Sequence, residues 1–176
     1  MTRMFLPRLT SLTLLACLLA ACATPSPPRP AVVEVEAPPR DLIGEVRAAG
    51  SDVVDGIDIQ ILQDPIILDL RETALQQEGA QHFSDADATV QRALELIPDD
   101  PELLQWRAEL ALALGHLDEA VRLANASWER GPRLGSLCRR NWAAIRLARE
   151  LSALPDAAIV AAHQGERCTV APPVRM

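Results

Sequence analysis

A self-match at an offset of 34 residues constrains the fold of this chain more than any other feature. When the sequence is shifted by that distance, small and apolar residues fall on residues of the same kind, and one proline falls on another. The matched pairs are Leu70 with Leu104, Ala74 with Ala108, Phe83 with Leu117, Ala86 with Ala120, Ala93 with Ser127 and Pro98 with Pro132. Small residues let two helices cross closely, and a proline ends one helix before the next unit begins. The pattern therefore predicts stacked helical hairpins.

Two segments carry a resemblance to a known family. The run Gly115-His-Leu-Asp-Glu-Ala-Val, and Phe83-Ser-Asp-Ala with Gln91-Arg-Ala-Leu-Glu-Leu-Ile-Pro98, resemble the turn and second helix of the tetratricopeptide repeat. The resemblance covers Ile67 to Leu134, and Arg107 and Gln81 depart from it where Leu and Gly are usual. It implies an all-α fold, a short TPR-type solenoid of about three hairpins. The predicted units are 67–100, 101–134 and a degenerate cap at 135–168, followed by a tail at 169–176. A generic array of helical hairpins is the alternative.

The first residues have the pattern of an export signal. Arg3 and Arg8 precede a largely apolar run over 9–21, which is too short to span a bilayer as a mature helix. The run ends in Leu19-Ala20-Ala21-Cys22, which resembles the lipobox of bacterial lipoproteins. The resemblance implies that the signal 1–21 is removed and that Cys22 carries acyl chains such as palmitate. Because Ala23 follows Cys22, it also implies the periplasmic side of a Gram-negative outer membrane. An ordinary cleaved signal with an unrelated cysteine is the alternative.

Two different segments follow Cys22. The linker 22–40 contains six prolines, which predicts an extended tether with a reach of about 3.1 Å per residue. The next segment, 41–66, has mixed signals, since residues 41–47 favour a short helix whereas Ile57, Ile59 and Ile61 alternate as in a strand. We interpret it as an extended segment lying on the helical domain. An exposed strand that pairs with a partner is the alternative.

Composition and charge exclude nonspecific binding to nucleic acid and indicate two contact surfaces of opposite charge. All 17 basic residues are arginines, tyrosine is absent, and the formal net charge is −7, so nonspecific nucleic-acid binding is excluded. Residues 41–119 contain 18 acidic residues and 4 arginines, whereas residues 120–176 contain 4 acidic residues and 9 arginines. This asymmetry indicates two surfaces of opposite charge, each a candidate contact face.

The chain has no recognisable catalytic or metal-binding motif. His82, His116 and His163 are not spaced as metal ligands on a helix face, and no known nucleophile or phosphate-binding motif occurs. We therefore predict no enzymatic activity, no metal and no cofactor. Cys138 begins the first helix of the last unit and Cys168 follows the returning helix, which places them within bonding range and predicts a disulfide. A nucleophile and base formed by Cys138 and His163 is the weaker alternative.

These observations predict an outer-membrane-anchored periplasmic scaffold that mediates protein–protein interaction. The resemblance places the groove of the solenoid on the first helices of the first two hairpins. The groove residues are Leu68, Arg71, Leu75 and Glu78, and Glu102, Gln105, Glu109 and Leu112.

A second predicted contact is a basic face formed by Arg139, Arg146 and Arg149. Its ligand would be an acidic segment of a partner or the acidic half of a second copy in a homodimer. The alternative function is an envelope ligand-binding lipoprotein that holds cell-wall glycan or anionic lipid headgroups through this basic cap. The identity of the protein partner is left open, among secretion, cell-wall synthesis, pilus assembly and barrel-protein assembly.

The lipobox generates the first testable prediction. Cys22→Ser removes the thiol that would be acylated, so the variant should leave the membrane fraction, because several acyl chains are what makes such anchoring stable. Membrane fractionation and carbonate extraction measure this. A variant that still sediments with the outer membrane and resists carbonate would contradict the prediction.

Overall fold

The computed structural model describes residues 40–51 and 64–169. Within these ranges the chain forms helices and no strand, which confirms the all-α prediction. The helices are α1 (Leu42–Ser51), α2 (Pro65–Gly79), α3 (Phe83–Leu96), α4 (Pro101–Ala113), α5 (Leu117–Arg130), α6 (Ser136–Leu151) and α7 (Pro155–Glu166). The pairs α2–α3, α4–α5 and α6–α7 pack as consecutive hairpins.

Local sequence signals start these helices. Asp64 accepts a hydrogen bond from the backbone nitrogen of Ile66 at 2.9 Å, and Pro65 begins α2. Asp100 accepts one from the backbone nitrogen of Leu103, also at 2.9 Å, and Pro101 begins α4. The aspartate satisfies a free N–H of the first turn, where proline loses nothing by lacking its own.

The turns between paired helices repeat one backbone conformation. Gln81, Gly115 and Ala153 have φ angles of 61°, 74° and 56°, which lie in the left-handed region. In each turn this residue donates its N–H to the carbonyl three residues earlier, and the next residue donates to the carbonyl five residues earlier. Gln81 therefore occupies the turn position that Gly115 occupies in the second hairpin. It does so despite the steric cost that a side chain adds there.

Four of the six pairs matched by the 34-residue offset are buried in the core. Ala74, Ala86, Ala108 and Ala120 are fully buried where the helices of a hairpin cross. Arg107, the departure from the family pattern, donates from Nε to the Oδ1 atom of Asp87 on α3 at 2.8 Å. This ion pair thus links the second hairpin to the first.

The third hairpin is closed covalently. Cys138 on α6 and Cys168 after α7 form the expected disulfide, with their Cα atoms 5.7 Å apart. The backbone nitrogen of Gly135 also donates to the carbonyl of Cys168 at 2.8 Å. The two ends of the hairpin are therefore held together by a covalent bond and a backbone hydrogen bond.

The start of the 41–66 segment is helical, so our interpretation of it as extended is wrong for residues 42–51. This helix, α1, lies against α4 and α6. The alternating isoleucines at 57–61, the signal, Cys22, the tether and residues 170–176 lie outside the described residues. Within the described ranges, no helix has both the length and the apolar character needed to cross a membrane.

The disulfide generates a prediction about stability. Cys138→Ala with Cys168→Ala should lower the free energy of unfolding by about 3–4 kcal/mol, because the bond closes a loop with a sequence separation of 30. Denaturant unfolding of the double variant beside the oxidised and thiol-reduced wild type measures this. Equal midpoints for the oxidised and reduced wild type would show that the bond contributes nothing.

Candidate protein-binding face

The first helices of the three hairpins, α2, α4 and α6, carry one surface, which we call the inner face. The predicted groove residues lie on α2 and α4 of this face, and they differ greatly in exposure. Leu68, Leu75 and Glu102 are exposed, and Arg71 and Glu78 are partly exposed. Gln105, Glu109 and Leu112 are almost completely buried. The exposed members are therefore available to a partner, and the three buried members of α4 are not.

Helix α1 lies on this part of the inner face. It turns Ile43, Val46 and Gly50 towards the domain, and all three are buried. A Cβ atom added to Gly50 would lie only 2.7 Å from Oγ of Ser136, so a larger residue would push α1 away from α6. The spacing of these three residues is that of a helix packed by one side. The groove is thus partly filled by the protein's own chain.

The carboxylate of Glu109 is the polar centre of this packing. Arg47 of α1 donates to its Oε2 atom at 2.8 Å, and Arg140 of α6 donates to Oε1 at 2.7 and 3.0 Å. Gln105 also donates to Oε1, at 3.2 Å. A buried charge is tolerated when it is paired and hydrogen-bonded in this way. Glu109 therefore links α1, α4 and α6.

A second carboxylate extends the network to the first hairpin. Glu78 of α2 accepts two hydrogen bonds from Arg47, at 2.7 and 3.0 Å, and one from the indole nitrogen of Trp106 at 2.6 Å. Arg140 reaches Glu102 at 3.1 Å. The two arginines thus bridge three glutamates, and each arginine contacts carboxylates on one or two neighbouring helices.

The network keeps Arg47 charged. Burial alone lowers the pKa of its guanidinium, but the hydrogen bonds and charges of Glu78 and Glu109 raise that pKa above its ordinary value. The guanidinium of Arg47 therefore stays charged throughout the pH range near neutrality.

An open pocket remains on the inner face beside α1. Its volume is about 340 Å³, and it is lined by Arg47, Gly50, Ser51, Arg71, Leu75, Glu102, Trp106, Ser136 and Arg140. The guanidinium of Arg71 lies 5.9 Å from the ring centre of Trp106, in cation–π range. In the described part of the chain no carboxylate pairs with Arg71. The pocket therefore offers an unpaired cation beside an exposed leucine.

The three arginines of the predicted basic face do not all come together. Arg139 and Arg146 line a second pocket of about 220 Å³, against Trp142 and the small residues of α7. Arg146 is paired with Glu150 of its own helix. Arg149 is not part of this pocket. The basic face is therefore a two-arginine pocket with one outlying arginine.

Sequence reasoning missed the two arginines that organise the inner face. Neither Arg47 nor Arg140 is among the site residues that the sequence predicts. The helical spacing of Ile43, Val46 and Gly50 was the available signal for α1.

Within the described ranges, no group of three or more His, Cys, Asp or Glu is arranged to hold a metal ion.

Comparison with solved structures shows a similarity to a domain of known structure. No protein-family model matches the chain, and no curated protein matches it. The chain is similar to the globular C-terminal domain of P. aeruginosa LpoP. The two are 27% identical, with a TM-score of 0.55 over 59% of this chain and 98% of that chain. The match therefore covers nearly the whole of that globular domain.

The network around Glu109 generates a prediction. Glu109→Gln removes the buried charge and leaves Arg47 and Arg140 without their shared counter-ion, so the free energy of unfolding should fall by about 3 kcal/mol. Hydrogen exchange should also accelerate in α1.

The matched control is Glu95→Gln on α3, where the carboxylate is exposed and has no ion pair among the described residues. Its free energy of unfolding should change by no more than about 0.5 kcal/mol. Denaturant unfolding and hydrogen-exchange mass spectrometry measure both. Equal effects of the two substitutions would contradict the role given to Glu109.

Proposed function

We propose that this protein is an outer-membrane-anchored periplasmic adaptor whose helical domain binds a segment of another envelope protein. The observation that carries the proposal is the pocket beside α1, where the unpaired Arg71 and the exposed Leu75 face the same open space. Protein–protein recognition uses such a combination, since an apolar anchor supplies binding energy and an arginine supplies direction and specificity. The likeness to the LpoP domain supports a globular helical domain behind an N-terminal segment.

The partner segment would lie next to α1 on the inner face. Helix α1 shows what this face holds, namely a short helix with apolar residues on one side and an arginine between two carboxylates. The free cation on the other side of the pocket is Arg71, so the complementary segment carries an acidic side chain beside an apolar one. Glu102 at the edge would disfavour a second acidic residue at that point.

The predicted anchor and tether limit where the partner is found. A linker of this composition reaches about 3.1 Å per residue when fully extended. The proposal therefore places the partner in the periplasm, within several nanometres of the outer membrane.

Site-specific photocrosslinking tests the proposal in cells. A photoreactive residue at position 75 should trap the partner, whereas one at position 96 should not, although Leu75 and Leu96 are equally exposed at 56%. This method suits the chain, because it contains no lysine for amine-reactive reagents. The trapped protein is identified by mass spectrometry and compared with components of the four machineries, cell-wall synthases included.

Charge reversal tests the same pocket quantitatively. Arg71→Glu with Leu75→Glu should weaken capture of that partner at least about tenfold, because the variant replaces attraction with like-charge repulsion. The control is Arg92→Glu with Leu96→Glu, two exposed residues of α3 outside the pocket. Capture that is unchanged in the pocket variant, or that falls equally in the control, would contradict the proposal.

A second candidate function rests on the arginines of the third hairpin. Arg133 and Arg167 line a pocket of about 190 Å³ with Trp128 and Trp142, and neither has a carboxylate partner among the described residues. Such a site suits anionic headgroups or the acidic groups of cell-wall glycan, since guanidinium groups bind carboxylates and phosphates. Co-sedimentation of the full chain with peptidoglycan, in the absence of any protein partner, would favour this candidate over the adaptor.

A further inference from the structure

The last helix breaks the packing rule that the other hairpins follow. The second helix of the first hairpin, α3, is covered by α4, and the second helix of the next hairpin, α5, is covered by α6. Helix α7 is the second helix of the third hairpin. Among the described helices it packs only against α6, its own hairpin partner. Its outer side therefore has the position of a helix-binding surface without a helix.

The outer side of α7 is apolar where a terminal cap is expected to be polar. Ile159 is 55% exposed and Val160 is 59% exposed, and Leu154 at the start of the helix is also exposed. Terminal units of solenoids ordinarily carry polar residues on this side, because no further unit covers them. The predicted degenerate cap 135–168 therefore carries apolar residues on its outer side.

Charged residues flank the apolar pair on the same side of α7. Asp156, Val160, His163 and Arg167 follow the spacing of three and four that aligns side chains along one helix face. The acid lies in the first turn and the arginine lies just after the last turn. Neither Asp156 nor Arg167 has an ion pair within the part of the chain that the structure describes. The surface therefore carries an acid at one end, apolar residues in the middle and Arg167 at the other end, where Oε2 of Glu166 lies at the edge of the surface, 3.3 Å from Nδ1 of His163.

We propose that α7 packs against α7 of a second copy of this chain, with the two helices antiparallel. In that arrangement Asp156 of each copy meets Arg167 of the other, and the apolar residues meet near the two-fold axis. A two-fold contact requires a self-complementary surface, and this order of charges provides one. Antiparallel packing also repeats the relation of α5 to α6 and places opposite ends of the helix dipoles together.

The size of the surface sets the strength of the contact. A single helix of 12 residues buries less area than a permanent dimer needs, so the association is weak in dilute solution. Two chains anchored in one membrane have a much higher effective concentration. The surface is separate from the inner-face pocket, so the contact does not depend on partner binding there; only its strength in cells rests on the proposed membrane anchor.

Reciprocal charge reversal tests the contact in the full-length protein. Two copies with different affinity tags are expressed together, each with a photoreactive residue at position 160, and are irradiated in intact cells. The membranes are then solubilised, and cross-linked capture of one copy by the other is measured. Asp156→Arg alone and Arg167→Asp alone, each present in both copies, should reduce capture about tenfold, because each places like charges opposite one another. The double variant Asp156→Arg with Arg167→Asp should restore capture to within about twofold of wild type.

The matched control is Asp118→Arg, which also changes an exposed acid in the first turn of a helix and should leave capture unchanged. Loss of capture in this control would show that a general change of charge, not the α7 contact, is responsible. Wild-type copies that do not capture each other would overturn the proposal, and α7 would then be covered by the C-terminal tail or by another protein. Capture that survives both single reversals, or that the double variant fails to restore, would overturn it as well.

Discussion

The buried carboxylate of Glu109 is the interaction on which the rest of the inner face depends. A charge removed from water destabilises a fold unless oppositely charged groups and hydrogen bonds compensate it. Here the compensation comes from Arg47 on α1 and Arg140 on α6, two helices far apart in the sequence. Because both guanidinium groups must reach one carboxylate, they fix the position of α1 on α4 and α6. Glu78 then ties the same arginine of α1 to the first hairpin.

This arrangement changes what the inner face is able to bind. A solenoid of three hairpins offers a short groove, and α1 occupies the part over the second and third hairpins. What remains is a pocket beside α1, lined by residues of α2, α4 and α6, in which Leu75 is exposed and Arg71 has no carboxylate partner among the described residues. The occupied part also shows the chemistry of the face, which is a set of glutamates and apolar positions that accept a helix. The proposed partner would extend the layer that α1 begins.

The third hairpin is held rigidly and has an uncovered apolar surface on the outer side of α7. The Cys138–Cys168 bond and the Gly135 hydrogen bond hold its two ends together, so α7 is fixed relative to α6. A fixed helix with exposed isoleucine and valine presents a defined contact surface. The inner-face pocket and the outer side of α7 lie on different helices, which lets one domain contact two molecules.

Short-range sequence signals predict those features of this protein that depend on neighbouring residues along the chain. The recurrence of alanine and leucine, the Asp-Pro starts at residues 64 and 100, and the placement of Cys138 and Cys168 predict the hairpins and their closure. Only the tertiary structure showed that Gln105 and Glu109 are buried, that Arg140 faces the inner side, and that α7 has an apolar outer side. The reason is distance along the chain, because Arg47 and Glu109 are separated by 62 residues. Helix caps and periodic packing act over a few residues, whereas a charge on a helix surface acquires its partner only when the whole array has assembled.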